Sequence, residues 1–198
     1  QKNDLTEAKT QVIFEITLNN LLTLGELDEQ DFLDRAELLC ALGHTVMISN
    51  FKEYFKVVDY IWNYSNEKIA LTIGVPSLLE IFDAKHYTEL SGGLFEGLGR
   101  LFKHGLEIYV YPLLENDDKV IDSKNITLHD ERIRAIYDYF ITENQIIDIE
   151  NYELKNLKIF SHKVLHKIQH NEESWTKEVP DMVAKLIKEN KLFQNKHS

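Results

Sequence analysis

Apolar and polar positions alternate along the chain in two kinds of segment, short β-prone runs and longer runs with helical spacing. The β-prone runs stand at 45–49, 68–74 and 106–111. Segments with apolar side chains three and four apart lie at 52–64, 77–82, 92–104 and 130–142. Strands that alternate with helices of this length indicate βαβ units and a parallel sheet with right-handed crossovers. The pattern predicts an α/β fold, a layered domain with a mostly parallel sheet flanked by helices.

The two ends of the chain add mainly helical patterns. Residues 11–24 carry apolar side chains mostly at helical spacing, which predicts a first helix, and Asp28 to Gly43 predicts a second. Cys40 falls in the apolar stripe of that second helix, so we expect a buried thiol. Residues 146–149 predict a short edge strand, and 157–170 and 179–189 predict two helices in the tail.

Charge is distributed unevenly between the body and the tail of the chain. The whole chain has 22 basic and 33 acidic residues, a net charge of −11. Residues from 155 onward hold nine lysines against five acidic residues, so the tail is basic and the body is acidic. This asymmetry predicts an α/β domain at 11–154 and a helical C-terminal extension at 155–198 packed on it. The other interpretation is a positively charged mouth for an anionic ligand.

Composition narrows the class of protein. A hydrophobic fraction of 43% supplies a full core and excludes disorder. The acidic balance argues against nucleic acid and anionic membranes as partners, because both require a basic surface. A single cysteine excludes a disulfide framework, and no run approaches the roughly 18 apolar residues of a membrane span. We therefore expect a cytoplasmic protein.

Candidate ligand contacts lie where ligands bind in open parallel sheets, beyond the carboxyl ends of the strands. Asn50 follows the first β-prone run, and Ser77 follows the second. Residues Ser91, Gly92 and Gly93 open a helix whose backbone N–H groups favour an anion, and Arg100 lies two turns further along. The alternative is structural: these residue types also form turns and caps, and glycines permit close packing.

No catalytic or metal-binding set follows from the residues. His162, His166 and His170 are spaced four apart but fall opposite the apolar face of Val164 and Ile168. This arrangement predicts solvent-exposed histidines and no metal site. Nucleophilic triads are recognised by geometry rather than spacing, so the catalytic residues stay unknown.

Several phrases of the sequence resemble a known family. They are Val12–Leu22, Val46–Asn50, Gly74–Leu78, Gly92–Lys103, Tyr109–Pro112 and Ser174–Phe193. Together they resemble longer bacterial proteins labelled nicotinate (or nicotinamide) mononucleotide adenylyltransferase, over about residues 11–193. The resemblance implies the carboxy-terminal part of such a protein, a nucleotidyltransferase-like role in NAD biosynthesis, and ATP and Mg as possible cofactors. It assigns no catalytic residue, because Ala41 stands where the family's H/T-x-G-H loop has His or Thr.

Two functions remain open from the sequence. The first is a nucleotide-metabolism-related domain that binds a small anionic, phosphate-bearing ligand at the carboxyl ends of the strands. Its candidate contacts are Asn50, Ser77, Ser91, Gly92, Gly93 and Arg100. The second is a non-catalytic interaction, oligomerisation or ligand-sensing domain, with a homo-oligomer as a possible assembly.

Overall fold

The computed structural model describes residues 10–18, 29–115 and 119–194 and has an α/β fold with mostly parallel sheets, as predicted. Its strands are β1 Ile13–Thr17, β2 Thr45–Ser49, β3 Ala70–Gly74, β4 Glu107–Tyr111, β5 Leu113–Glu115, β6 Lys119–Ile121 and β7 Ile146–Asp148. Its α-helices are α1 Glu29–Ala41, α2 Tyr54–Trp62, α3 Val75–Ile81, α4 Gly93–Leu101, α5 Glu131–Thr142, α6 Ser161–Gln169 and α7 Asp181–Asn190. Of the helices in these ranges, none has the length and apolar character needed to cross a bilayer.

The chain divides into two compact units. The first unit combines Gln1–Asn50 with Ser161–Ser198, and the second is the continuous segment Phe51–Phe160. The tail helices α6 and α7 therefore belong to the same unit as β1, α1 and β2. The predicted boundary between residues 154 and 155, with a separate C-terminal extension, stays a prediction.

The first unit is built on the parallel pair β1–β2, in which Ile13 lies opposite Thr45 and Thr17 opposite Ser49. Helix α1 packs against β2 and α7, and α7 packs on a 3-10 helix at Glu173–Lys177. The two segments of this unit are joined by a hydrogen bond that the backbone N–H of Phe193 donates to the buried carboxylate of Asp34. This hydrogen bond thus connects residues that are 159 positions apart in the sequence but belong to the same unit.

Two predictions for this unit are wrong. The segment 13–17 is a strand rather than part of a helix, because its β-branched and aromatic residues pair along their whole length with β2. The rest of the predicted helix, 19–24, lies outside the described residues. Cys40 is exposed, because α1 turns Phe32 and Asp34 inward instead.

The second unit contains a three-stranded parallel sheet in the order β3-β4-β7. Ala70 lies opposite Glu107, and Ile108 lies opposite Ile146, so the predicted edge strand at 146–149 is confirmed. A short antiparallel pair, β5–β6, branches from the end of β4. The core joins helices α2 to α5 to the sheet through Val58, Leu78, Leu98, Leu101, Ile108, Val110 and Tyr137.

Helix α4 approaches the 3-10 helix Ala84–Tyr87 very closely at one glycine. A Cβ atom added at Gly97 would lie 2.1 Å from Cδ1 of the Tyr87 ring, whereas one added at Gly99 would meet nothing within 4 Å. Tyr87 is buried and donates a hydrogen bond of 2.7 Å from its hydroxyl to the carbonyl of Ile81. The glycine at position 97 is therefore required by packing, and this contact fixes where α4 lies.

Candidate functional site

A cleft of about 790 Å³ opens in the second unit where the carboxyl ends of α2 and α4 lie side by side. We call it the cation cleft. Its lining is polar and consists of Asp59, Trp62, Asn63, Asn66, Arg100, Lys103 and His104. Three of these seven residues are basic and two carry side-chain amides, so the cleft offers many hydrogen-bond donors.

The local sequence explains why these side chains meet. In α2 the apolar residues Phe55 and Val58 are buried in the core. Asp59 and Trp62 of the same helix line the cleft beside the end of α4. Arg100 lies in the last turn of α4, and Lys103 begins the 3-10 helix Lys103–Gly105 that follows it, where the negative end of the α4 dipole favours cations. His104 adopts a left-handed backbone conformation, with φ 57°, that ends this segment before β4.

Asp59 forms the charged centre of the cleft. Its Oδ2 accepts hydrogen bonds from Nε and Nη2 of Arg100 at 3.0 and 2.5 Å, and its Oδ1 accepts one from Nζ of Lys103 at 2.5 Å. Partial burial alone would raise the pKa of Asp59, but the hydrogen bonds and charges of Lys103 and Arg100 lower the pKa below its ordinary value. The carboxylate therefore stays ionised and bridges one cation of α4 and one of the 3-10 helix that follows it.

Aromatic contacts surround this ion cluster. The guanidinium of Arg100 lies 4.5 Å from the centroid of the Phe55 ring, a cation–π distance, and its Nη1 lies 3.8 Å from Oε1 of Glu96. The rings of Trp62 and His104, which also line the cleft, lie 4.5 Å apart and are tilted by 44° to each other. The cleft thus combines cations with two aromatic rings.

The helix start predicted to bind an anion is engaged within the chain. The N–H of Gly92 donates to Oε2 of Glu96 at 2.9 Å, and the N–H of Gly93 donates to the carbonyl of Leu90 at 3.0 Å. Ser91 is exposed beside them. Arg100 lies seven residues further along α4, about 10 Å at 1.5 Å per residue. The Arg100 side chain extends back toward this helix start, because its Nη1 lies 3.8 Å from Oε1 of Glu96, the residue that accepts from Gly92. Anion binding by Ser91, Gly92 and Gly93 stays a prediction.

The remaining predicted contacts lie in different places. Asn50 ends the first segment of the first unit, directly after β2. Ser77 lies half-buried in the first turn of α3, in the second unit. Neither residue lines the cation cleft, so of the six predicted contacts only Arg100 belongs to it.

A second concavity, of about 170 Å³, lies at the carboxyl ends of β3 and β4. The structure brings together there the two strand ends that the topology rule indicates, Gly74–Pro76 and Tyr111–Pro112. The other lining residues are Leu113, Asn156, Leu157, Ile159 and Phe160, and none of the lining residues is charged. The lining of this strand-end pocket therefore provides no positive charge for an anion. The cations Arg100 and Lys103 lie instead at the end of α4, which leads into the amino-terminal end of β4.

Within the described ranges, no group of three or more His, Cys, Asp or Glu side chains is arranged to hold a metal ion. His166 and His170 stack ring on ring at 3.9 Å, while Val164 and Ile168 of the same helix are buried as predicted. Magnesium prefers carboxylate oxygens, and both oxygens of Asp59 are already bound by cations. The residues of the cation cleft therefore do not fit the Mg that the resemblance implies.

Most residues of the cation cleft could not be predicted from the sequence. Asp59 and Arg100 are 41 residues apart, so no local motif connects them. A weaker signal was present in the basic pair Arg100 and Lys103, because cations three residues apart at a helix end share one face. In comparisons with known proteins the chain matches no family model, no curated protein and no solved structure.

Proposed function

We propose that the second unit binds a small, phosphate-bearing anion in the cation cleft. The observation that carries this proposal is that Arg100, Lys103 and His104 line one open cleft together with two amides and an indole ring. Arginine and lysine are the side chains that bind phosphate most strongly, the first through its planar fork and the second as a point charge.

The donors left over by Asp59 support the proposal. An ammonium group has three N–H donors, and Asp59 occupies one of those on Lys103, whose side chain is 36% exposed. The exposed amides of Asn63 and Asn66 stand at the rim, where they can bind hydroxyl or phosphate oxygens. The aromatic rings of Trp62 and His104 provide apolar surface for a sugar or base ring attached to the phosphate.

Tryptophan fluorescence provides a direct test. The chain has two tryptophans, so a Trp175→Phe background leaves Trp62, in the cleft, as the sole reporter. Titration with pyrophosphate and with mononucleotides should change its emission in a saturable way. Lys103→Met should weaken binding about tenfold, since a hydrogen bond to a charged group contributes about 1.5–3 kcal/mol.

Lys124→Met is the matched control, because Lys124 is an exposed lysine of the same unit outside the cleft. It should leave the affinity unchanged. Equal loss of binding in both lysine variants, or no saturable response to any of these anions, would contradict the proposal.

Mononucleotides are the first ligands to test, because the sequence resembles nicotinate mononucleotide adenylyltransferases. The proposal extends to a nucleotidyltransferase-like role in NAD biosynthesis, which requires release of pyrophosphate from ATP in the presence of the mononucleotide. Binding without pyrophosphate release would limit the proposal to a ligand-sensing domain.

One observation favours the alternative, an interaction or oligomerisation domain. Val12 and Phe14 of the first unit and Ile48 of β2 are exposed, and the register places Phe14 beside Val46 and Ile16 beside Ile48 on one face of the β1–β2 pair. Parallel sheets are normally covered on both faces. Sedimentation of the chain and of Ile48→Ser tests this function: a dimer that the variant dissociates supports it.

The control for that experiment is Leu154→Ser, which removes an equally exposed leucine from the second unit. A monomer at all concentrations, or the same change in both variants, would contradict the alternative.

A further inference from the structure

We propose that Asp59 restricts the cation cleft to ligands with two or more negative charges, because it occupies Arg100 and Lys103 itself and only such a ligand displaces it. This inference rests on the proposed function and names the ligand class of the same cleft.

The geometry of Asp59 is that of a bound anion. Each of its two carboxylate oxygens accepts from a different cation, and the carboxylate is only 20% exposed. A ligand carboxylate or phosphate that bound both cations as Asp59 does would compete with it for Nε and Nη2 of Arg100, while Lys103 keeps the two N–H donors that Asp59 does not use. The side chain of Asp59 is thus an internal competitor at a fixed position.

The charge balance explains why one negative charge does not suffice. Arg100 and Lys103 supply two positive charges, while Asp59 and the nearby Glu96 supply two negative ones. A monoanion that replaced Asp59 would form the same kind of contacts with the two cations. It would also lose translational and rotational entropy on binding, which Asp59 does not, because Asp59 is part of the chain. A dianion brings an additional charge interaction with both cations, which tips the exchange in its favour.

The cleft allows this exchange without loss of its cations. The Arg100 guanidinium lies 4.5 Å from the centroid of the Phe55 ring, a contact that does not involve Asp59, and both basic side chains are partly exposed. Asp59 itself lies in the last turn of α2, next to the open cleft. Its lowered pKa means that the competitor is charged throughout the neutral range.

The test compares a dianion with a monoanion, sulfate with acetate, by Trp62 emission in the Trp175→Phe background. The parent protein should bind sulfate and show no saturable response to acetate. Asp59→Asn should bind acetate and should bind sulfate about tenfold more tightly, a factor that corresponds to about 1.4 kcal/mol. Asp138→Asn removes the same charge from an exposed site outside the cleft and should change neither affinity.

The outcomes separate the two proposals. If the parent binds sulfate but Asp59→Asn still rejects acetate, the inference is wrong and the proposed function stands. If Asp138→Asn changes both affinities as Asp59→Asn does, general charge rather than competition is responsible, and the inference is again wrong. If no protein binds sulfate, both are wrong. Asp59→Ser, measured in parallel with a far-ultraviolet circular dichroism spectrum, replaces Asp59→Asn if the latter does not fold.

Discussion

Replacement of Gly97 by alanine tests how the second unit is packed. The added Cβ would lie 2.1 and 2.2 Å from Cδ1 and Cε1 of the Tyr87 ring, where carbon atoms normally stand about 3.5–4.0 Å apart. The ring must therefore move by about 1.5 Å or the helix must move away from it. Both movements disturb a ring that is 4% exposed and stacked beside Phe55 at a centroid distance of 6.0 Å.

The cost has two parts. Overpacking of a core typically destabilises by about 1–3 kcal/mol. A displaced Tyr87 ring also withdraws its hydroxyl from the Ile81 carbonyl, and a buried polar group without a partner costs about 1–3 kcal/mol. Alanine is better than glycine in a helix by about 1 kcal/mol, which offsets part of this. We expect Gly97→Ala to lower the free energy of unfolding by about 3 kcal/mol.

Gly99→Ala is the matched control in the same helix. Its Cβ would meet nothing within 4 Å, so the helix propensity should act alone and raise the free energy of unfolding by up to about 1 kcal/mol. Urea unfolding followed by circular dichroism, and by Trp62 emission in the Trp175→Phe background, measures both variants. The two substitutions should thus act in opposite directions.

A double-mutant cycle identifies the contact that is responsible. Tyr87→Leu removes the ring atoms that meet the new Cβ, so Gly97→Ala should cost much less in that background. The reasoning is refuted if Gly97→Ala is as stable as Gly99→Ala, or if its cost is the same with and without the Tyr87 ring.

Three further predictions concern single polar side chains. Among the described residues the buried hydroxyl of Ser123 has no hydrogen-bond partner, so Ser123→Ala should raise the free energy of unfolding by about 1 kcal/mol in urea titrations. Asp34→Ala leaves the N–H of Phe193 without its acceptor and should cost about 1–3 kcal/mol by the same measurement, and no loss would show that this bond does not close the first unit. Hydrogen bonds from the side chain and backbone of Arg132 lower the pKa of Asp130 from 3.8 to about 2. Because its folded pKa is the lower one, Asp130 stabilises the fold above about pH 4, and the deficit of Asp130→Ala should disappear as the pH falls toward 2 in thermal melts.

Much of the fold could be predicted from the spacing of apolar residues. The run 45–49 coincides with β2, and the runs around β3 and β4 are correct to within two residues, because the strands of a parallel sheet read as short apolar runs. The strand β1 could not be predicted in this way. The residues of β1 pair with residues of β2 that are about 30 positions away in the sequence. The apolar spacing of 11–24 alone is equally compatible with a helix.

The candidate site was much less accessible to sequence reasoning. Arg100 could be singled out, because it follows a glycine-rich helix start by two turns, but the direction of its side chain could not be predicted. The helix turns Arg100 toward Asp59 and Phe55, which belong to α2 and are visible as neighbours only in three dimensions. Likewise, Glu96 satisfies the N–H of Gly92, a contact within one turn that competes with any outside anion.

The division of the first unit between both ends of the chain has a consequence for synthesis on the ribosome. The second unit, Phe51–Phe160, is continuous and can fold as soon as it has emerged. Helix α1 emerges earlier but gains α7 and the Phe193 N–H only after the roughly 110 residues of the second unit have been added, a delay of at least about 5 s at typical translation rates. During that interval the side of α1 that packs on α7 is uncovered. Nascent chains halted before Ser161 should therefore be cleaved by protease within α1, and protection should follow addition of the tail.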